Sequence, residues 1–314
     1  MTMRLAILCP GQGGQHPGMF DLLREDAQAA GFLSRCDLDR LLKAPLAQVL
    51  ADPAQLFANI CAQPLIVAAQ LATWQALRAE LETIAGAPAV VAGYSVGELS
   101  AYAIAGVFDA SATVTLAARR AALMSEAAAA APAQGLMSFG GMAVDALQAR
   151  LQSQGAHAAI VTGADTLIAG GLNAALQAAA TALAGQGVRS AALPIGLASH
   201  TPLMHEAVAP FLAELDAMAV HAPAMPLLAG VSGQGIADGG QARQLLARQL
   251  TETIQWAACM DACVERGVTV ALELGPGSAL SRMLRERHPH IQCRSLADFR
   301  SLTGLLSWLR RQAD

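Results

Sequence analysis

Apolar positions follow two different periods along this chain. Short, mostly apolar runs at residues 4–9, 87–92, 225–231 and 269–274, each with Gly or Pro at or near its end, read as strands buried on both faces. Elsewhere apolar residues recur at helical spacing, over 20–81 with breaks predicted at Pro45, Pro53 and Pro64, and again over 110–129. Past Pro132 the pattern changes. Strands are predicted at 136–142, 158–162, 166–170 and 188–195, with helices at 144–154 and 173–184 between them. That order, β-α-β-β-α-β, is ferredoxin-like. Helices at 240–250 and 256–266, a strand near 291–294 and a helix over 302–309 complete the pattern.

The run at 87–92 leads into Gly93-Tyr94-Ser95-Val96-Gly97, and Glu98 opens a helical segment. Strand, sharp turn and helix in direct succession form a G-x-S-x-G nucleophile elbow, with Ser95 at its apex and small residues where backbones must pass closely. The first strand runs into Pro10-Gly11-Gln12-Gly13-Gly14-Gln15. This is not a dinucleotide loop, because His16 stands where the third glycine belongs. Its position past a strand C-terminus suits ligand contact, and its amides suit an oxyanion. A third tight turn follows the strand ending at Glu273, in Leu274-Gly275-Pro276-Gly277. The predicted fold class is α/β: an α/β-hydrolase-like core with a mostly parallel sheet, residues 1–131 and 196–314, carrying an inserted ferredoxin-like subdomain, residues 132–195.

Composition narrows the function. Of 314 residues, 54% are hydrophobic and 14% charged, as a sheet covered by alanine-rich helices requires. A net charge of -4 gives no basic footprint, so no nucleic acid partner is expected. The six cysteines are scattered, which suits reduced thiols in a cytoplasmic protein. The first residues do not read as a signal peptide, and Gly, Asn, Gln and Thr interrupt the uncharged stretch 166–188, so no membrane association is expected.

Ser95 needs a base. Of seven histidines, His200 lies on a loop just before Pro202, which suits a first helical turn, and His16 beside the glycine loop is its rival. No carboxylate between them is placed to complete a triad: Asp109 opens a helix, Asp145 and Asp165 belong to the insert, and Glu98 and Glu126 lie on helices. A Ser-His dyad is therefore predicted. No metal site is expected, since His200 and His205 fall on different faces with no third ligand. Arg119 and Arg120 sit in an alanine-rich helix, and adjacent positions cannot share a face, so at most one points inward.

Six collinear motifs, PGQGGQ at the first loop, GYSVGE at the elbow, R-x-x-x-M at Arg120 to Met124, ASH at His200 with a following LM, RQL at Arg248 to Leu250 and ELGPG at 273–277, together resemble malonyl-CoA:acyl carrier protein transacylase. The resemblance implies that Ser95 carries the malonyl ester and His200 is the base, oriented by the Gln249 carbonyl. It implies an oxyanion hole of the Gln12 and Val96 amides, a malonyl carboxylate held by Arg120, and Gln63 lining the site. The implied substrate is malonyl-CoA, with no bound cofactor, and the implied acceptor is the phosphopantetheine-type thiol of an acyl carrier protein. Two departures stand out. Tyr94 and Val96 replace the family's usual histidine and leucine, and Thr162-Gly163-Ala164-Asp165 replaces an N-x-N segment. The first resembles the transacylase subunit of malonate decarboxylase, which implies malonate decarboxylase subunits as partners. The alternatives are the fatty-acid synthesis enzyme, a serine thioesterase or esterase, and a non-catalytic carrier-docking subunit.

Overall fold

The structure, a computed structural model, describes residues 3–313. Its strands are β1 (Leu5–Cys9), β2 (Val90–Gly93), β3 (Gln134–Gly140), β4 (Ala156–Val161), β5 (Thr166–Leu172), β6 (Arg189–Ala192), β7 (Ile254–Gln255), β8 (Val270–Glu273) and β9 (Gln292–Ser295). The first sheet has the order β2-β1-β8-β9 and is wholly parallel. Every residue of β1, β2 and β8 is buried, which is why these segments read as continuous apolar runs. Register then does the work of assembly. Cys9 pairs with Gly93 and Leu8 with Glu273, so the three glycine-rich turns leave the sheet side by side at its C-terminal edge.

The second sheet has the order β6-β3-β5-β4-β7. The four strands from the 132–195 segment pair antiparallel, and helices Val144–Ser153 and Asn173–Ala184 connect them in the predicted β-α-β-β-α-β order. Its fifth strand is not from that segment: β7 pairs parallel with β4 through Ile160 and Ile254. Leu136 and Ile160 of this sheet share a core with Ala6, Leu8 and Val90 of the first sheet and with Trp256.

Two expectations are corrected. Pro64 does not break the chain, because helix Asn59–Ala85 runs through it. A proline costs one internal hydrogen bond, yet every residue from Cys61 to Trp74 is buried, and tertiary packing of that face outweighs the local penalty. The same burial explains why a helix long and apolar enough to span a membrane is a core element here. Residues 225–231 form no strand. They meet β2 only through a bridge between Val91 and Leu227, and fold back through another between Leu228 and Gly235. Elsewhere strand ends shift by a few residues, whereas helix Ala110–Ala129 matches its predicted span.

Close backbone approach makes the elbow glycines specific. A Cβ on Gly97 would overlap the carbonyl oxygen of Cys9, and one on Gly93 would overlap the backbone of Glu98. Gly97→Ala should therefore cost about 2 kcal/mol or more in urea unfolding. Gly185→Ala, at a site with open space and a φ of -68°, should stay within about 0.5 kcal/mol.

Candidate active site

Ser95 follows β2 with a φ of +55°, in the left-handed region that non-glycine residues avoid. The turn is held by amides on either side: Tyr94 N–H donates to the Cys9 carbonyl, and Gly97 and Glu98 N–H groups donate to the Tyr94 and Ser95 carbonyls. His200 is strained in the same way, at φ +61°. Its N–H donates to the Leu250 carbonyl, and Thr201 next to it accepts the Leu203 amide and so caps the turn Pro202–Met204. Strain of this kind costs on the order of 1–3 kcal/mol per residue and persists only where surroundings over-determine it.

The two residues meet. Ser95 Oγ lies 2.8 Å from His200 Nε2, and His200 Nδ1 lies 2.5 Å from the Gln249 carbonyl oxygen. A carbonyl only accepts, so the proton sits on Nδ1 and leaves Nε2 free to accept from the serine hydroxyl. Burial, then the charge of Arg120, depresses the His200 pKa to about 3, against the opposing effect of the Gln249 carbonyl. The imidazole is neutral at physiological pH, as a base must be.

Arg120 is buried on the inward face of helix Ala110–Ala129, whereas Arg119 is exposed and pairs with Glu214 at 2.7 Å. Arg120 donates through Nη1 to Gln63 Oε1 at 2.8 Å and through Nη2 to Gln249 Oε1 at 2.7 Å, and its Nε is unpartnered among the described residues. Both partners are neutral amides. Burial lowers its pKa to about 10, with Glu98 opposing, so the guanidinium stays charged. Gln63 is held in turn by Asn59, whose Oδ1 accepts from Gln63 Nε2 at 2.7 Å and from Gln12 Nε2 at 3.2 Å. Gln249 Nε2 donates to the Ser95 carbonyl at 2.8 Å and to Glu98 Oε2 at 2.6 Å.

A cavity of about 690 Å³ opens between the two sheets over Ser95. Gln12, Tyr94, Ile160 and Met283 are in its wall, and Arg189 and Arg282 lie at exposed positions on it. Tyr94 stands edge-on to Trp256, with ring centroids 5.4 Å apart. Among the described residues neither the Gln12 nor the Val96 amide donates to a protein acceptor, so both donors are free.

Ser95, His200, Gln249, Arg120 and Gln63 are thus joined in one hydrogen-bonded set, and Gln12 is tied to it through Asn59. The family resemblance implies the Gln249 carbonyl; neither it nor the residue pattern points to the Gln249 side chain, Asn59 or Glu98, the last of which is a poor candidate for a triad acid. The structure puts it wholly inside the protein and against Gln249, not His200. The one signal available was a carboxylate in a helix start, 97–102, that is otherwise small or apolar.

A serine raised on a strand-turn-helix elbow, with a histidine at hydrogen-bond distance, places this chain in the class of α/β proteins built around a nucleophile elbow. Residues 7–300 match the acyl transferase domain family, and the chain belongs to it as an acyltransferase. It is 34% identical over 310 residues to the malonyl CoA-acyl carrier protein transacylase of Mycobacterium tuberculosis, covering 96% of this chain and 100% of that one. The Salmonella typhimurium protein of the same name is 28% identical over 300 residues, with 90% and 92% covered. Among solved structures, the Mycobacterium tuberculosis enzyme superposes with a TM-score of 0.87 at 30% identity, covering 98% of this chain and 99% of that one. The Xanthomonas oryzae malonyl-CoA:acyl carrier protein transacylase gives 0.89 at 28%, with all of both chains covered.

Two buried groups give stability opposite pH slopes. His200 resists the proton that the unfolded chain takes up between about 6.5 and about 3, so its contribution is lost as pH falls through that range. Burial raises Glu98 from 4.5 to about 7, so the native state binds its proton more tightly and gains stability as pH falls from about 7. Urea midpoints across pH should show the gap between wild type and His200→Gln shrinking toward acid. The gap for Glu98→Gln should move the other way.

Proposed function

We propose that this acyltransferase moves a malonyl group from malonyl-CoA, through an ester on Ser95, to the phosphopantetheine-type thiol of an acyl carrier protein. The observation that carries this reading is a buried Arg120 close to the Ser95–His200 pair, with spare N–H donors and only neutral amides as hydrogen-bond partners. A desolvated guanidinium favours a ligand that brings a carboxylate, which the malonyl group does through a two-point contact. His200 Nε2 takes the Ser95 proton as Oγ attacks the thioester carbonyl, and the developing oxyanion is met by the Gln12 and Val96 amides. Collapse of that adduct expels the CoA thiolate, which takes the proton back from His200. The carrier thiol then attacks the ester by the same steps in reverse. The Gln249 carbonyl holds the imidazole's orientation throughout. Exposed Arg189 and Arg282 on the cavity wall suit the phosphates of either thiol arm.

The acceptor carrier is a finer matter. The malonate decarboxylase carrier is favoured by Tyr94, which stands in the cavity wall beside the nucleophile where the fatty-acid enzymes have histidine. Transfer rates to the two purified carriers test this, and equal or reversed rates assign the chain to lipid synthesis.

Intact mass after mixing with malonyl-CoA should show one malonyl adduct on Ser95, absent from Ser95→Ala. His200→Ala should slow acylation by about 10² to 10⁴. An adduct elsewhere, or turnover by Ser95→Ala, overturns the elbow assignment.

Arg120→Ala should lower malonyl kcat/KM by on the order of 2–5 kcal/mol while acetyl transfer holds level or rises, and Arg120→Lys should not rescue it. Part of the acetyl discrimination belongs to His200. Burial is the larger cause of its depressed pKa and stays, but a bound carboxylate offsets the second cause, the Arg120 charge, and so raises the basicity of His200. If both thioesters fall together, Arg120 is structural.

A further inference from the structure

Glu98 is buried one helical turn past the nucleophile and takes no part in the steps above. Three groups aim donors at it: Gly230 N–H at 3.0 Å and Tyr102 hydroxyl at 3.2 Å on Oε1, and Gln249 Nε2 at 2.6 Å on Oε2. The Gly230 backbone comes so near that a Cβ there would lie 2.5 Å from Glu98 Oε2. A carboxylate can accept from all three, whereas a neutral carboxamide must turn its NH₂ toward either Gly230 or Gln249. The orientation of Gln249 matters, because the other end of the same carboxamide accepts from Arg120 at 2.7 Å. Turned over, it would present N–H groups to a guanidinium and an oxygen to the Ser95 carbonyl.

We propose that ionised Glu98 is the positioning residue of this site: by fixing which way the Gln249 carboxamide faces, it holds Arg120 ready for an acyl carboxylate and ties it to the Ser95 turn. This rests on the malonyl-transfer reading and adds that selectivity for a carboxylated acyl group depends on the charge of a residue that never touches substrate. The titratable groups packed against Glu98 are few. Tyr102 lies on its own helix, Arg120 on Ala110–Ala129 and Cys259 on Trp256–Glu265, while His200 is linked to it through Gln249. Burial and the nearby carboxylate push Tyr102 and Cys259 upward, so neither ionises near neutrality. Burial raises Glu98 itself to about 7, with Gly230, Gln249, Tyr102 and Arg120 all opposing. Its charge therefore changes near neutrality.

The test is the ratio of malonyl to acetyl kcat/KM against pH. Because kcat/KM reads the protonation of the free enzyme, loss of the His200 base lowers both substrates alike, but loss of the Glu98 charge lowers the ratio. In wild type the ratio should fall on the order of tenfold from about pH 8 to about pH 6. Glu98→Gln should lower it by roughly 10- to 100-fold and leave it flat with pH. Tyr102→Phe removes a donor that favours the ionised form, so the midpoint should move to higher pH. A wild-type ratio constant with pH, or a midpoint unmoved in both variants, overturns the proposal. A substrate-free readout separates it from the malonyl reading. The side-chain NH₂ resonances of Gln249, assigned by their loss in Gln249→Ala, should shift with a midpoint that Tyr102→Phe raises and Glu98→Gln abolishes. If no thioester acylates Ser95 while those resonances titrate as expected, the relay stands and the malonyl reading fails; if they do not titrate, the relay itself fails.

Discussion

The site hangs on the hydrogen-bonding capacity of one residue. Gln249, at the C-terminal end of helix Gly239–Arg248 and wholly buried, offers its carbonyl to His200 Nδ1, its Oε1 to Arg120, and both Nε2 protons to Ser95 O and Glu98. His200, Arg120 and the Ser95 turn are all referred to the same few atoms. A buried carboxamide with satisfied donors has no low-energy alternative orientation, because each alternative leaves donors facing donors in a place water cannot reach. Such a residue is expensive to replace and effective as a datum.

Backbone strain is concentrated where the chemistry is. Of the positive-φ non-glycine residues Asp37, Lys43, Ser95 and His200, two are the proposed nucleophile and base. Ser95 can be held there because the parallel sheet brings its turns into backbone contact: Gly97 lies under the Cys9 carbonyl, Gly11 within reach of the Tyr94 carbonyl, and Gly14 against Pro276; His200 is held by the Leu250 and Gln249 carbonyls. The glycines supply clearance, and the packed core makes the strained geometry the only one that fits.

The electrostatic balance is also unusual. One buried cation and one buried carboxylate are joined through a carboxamide, not by direct contact, so each is stabilised without being fully neutralised. A direct Arg120–Glu98 pair would leave the guanidinium no reason to take a third partner. Separation by Gln249 leaves it charged, hydrogen-bonded and still able to gain from an incoming carboxylate.

The sequence by itself determined the elements whose information is local. The elbow is a strand, a turn of small residues and a helix in succession; the helix Ala110–Ala129 and the β-α-β-β-α-β order are set by period, and Arg119 and Arg120 were bound to face apart. Loop position pointed to a Ser-His dyad with His200 ahead of His16, and motif resemblance added the orientation of His200 by the Gln249 carbonyl, which period and spacing do not contain. Only the tertiary structure decided the contacts of Glu98, Asn59 and the Gln249 side chain, the passage of a helix through Pro64, the joining of β7 to the second sheet, and the loss of the strand expected at 225–231. The physical reason is separation along the chain. Glu98 meets Gln249 across 151 positions and Gln63 meets Arg120 across 57, and a single polar residue aimed at a distant partner leaves no periodic trace near itself.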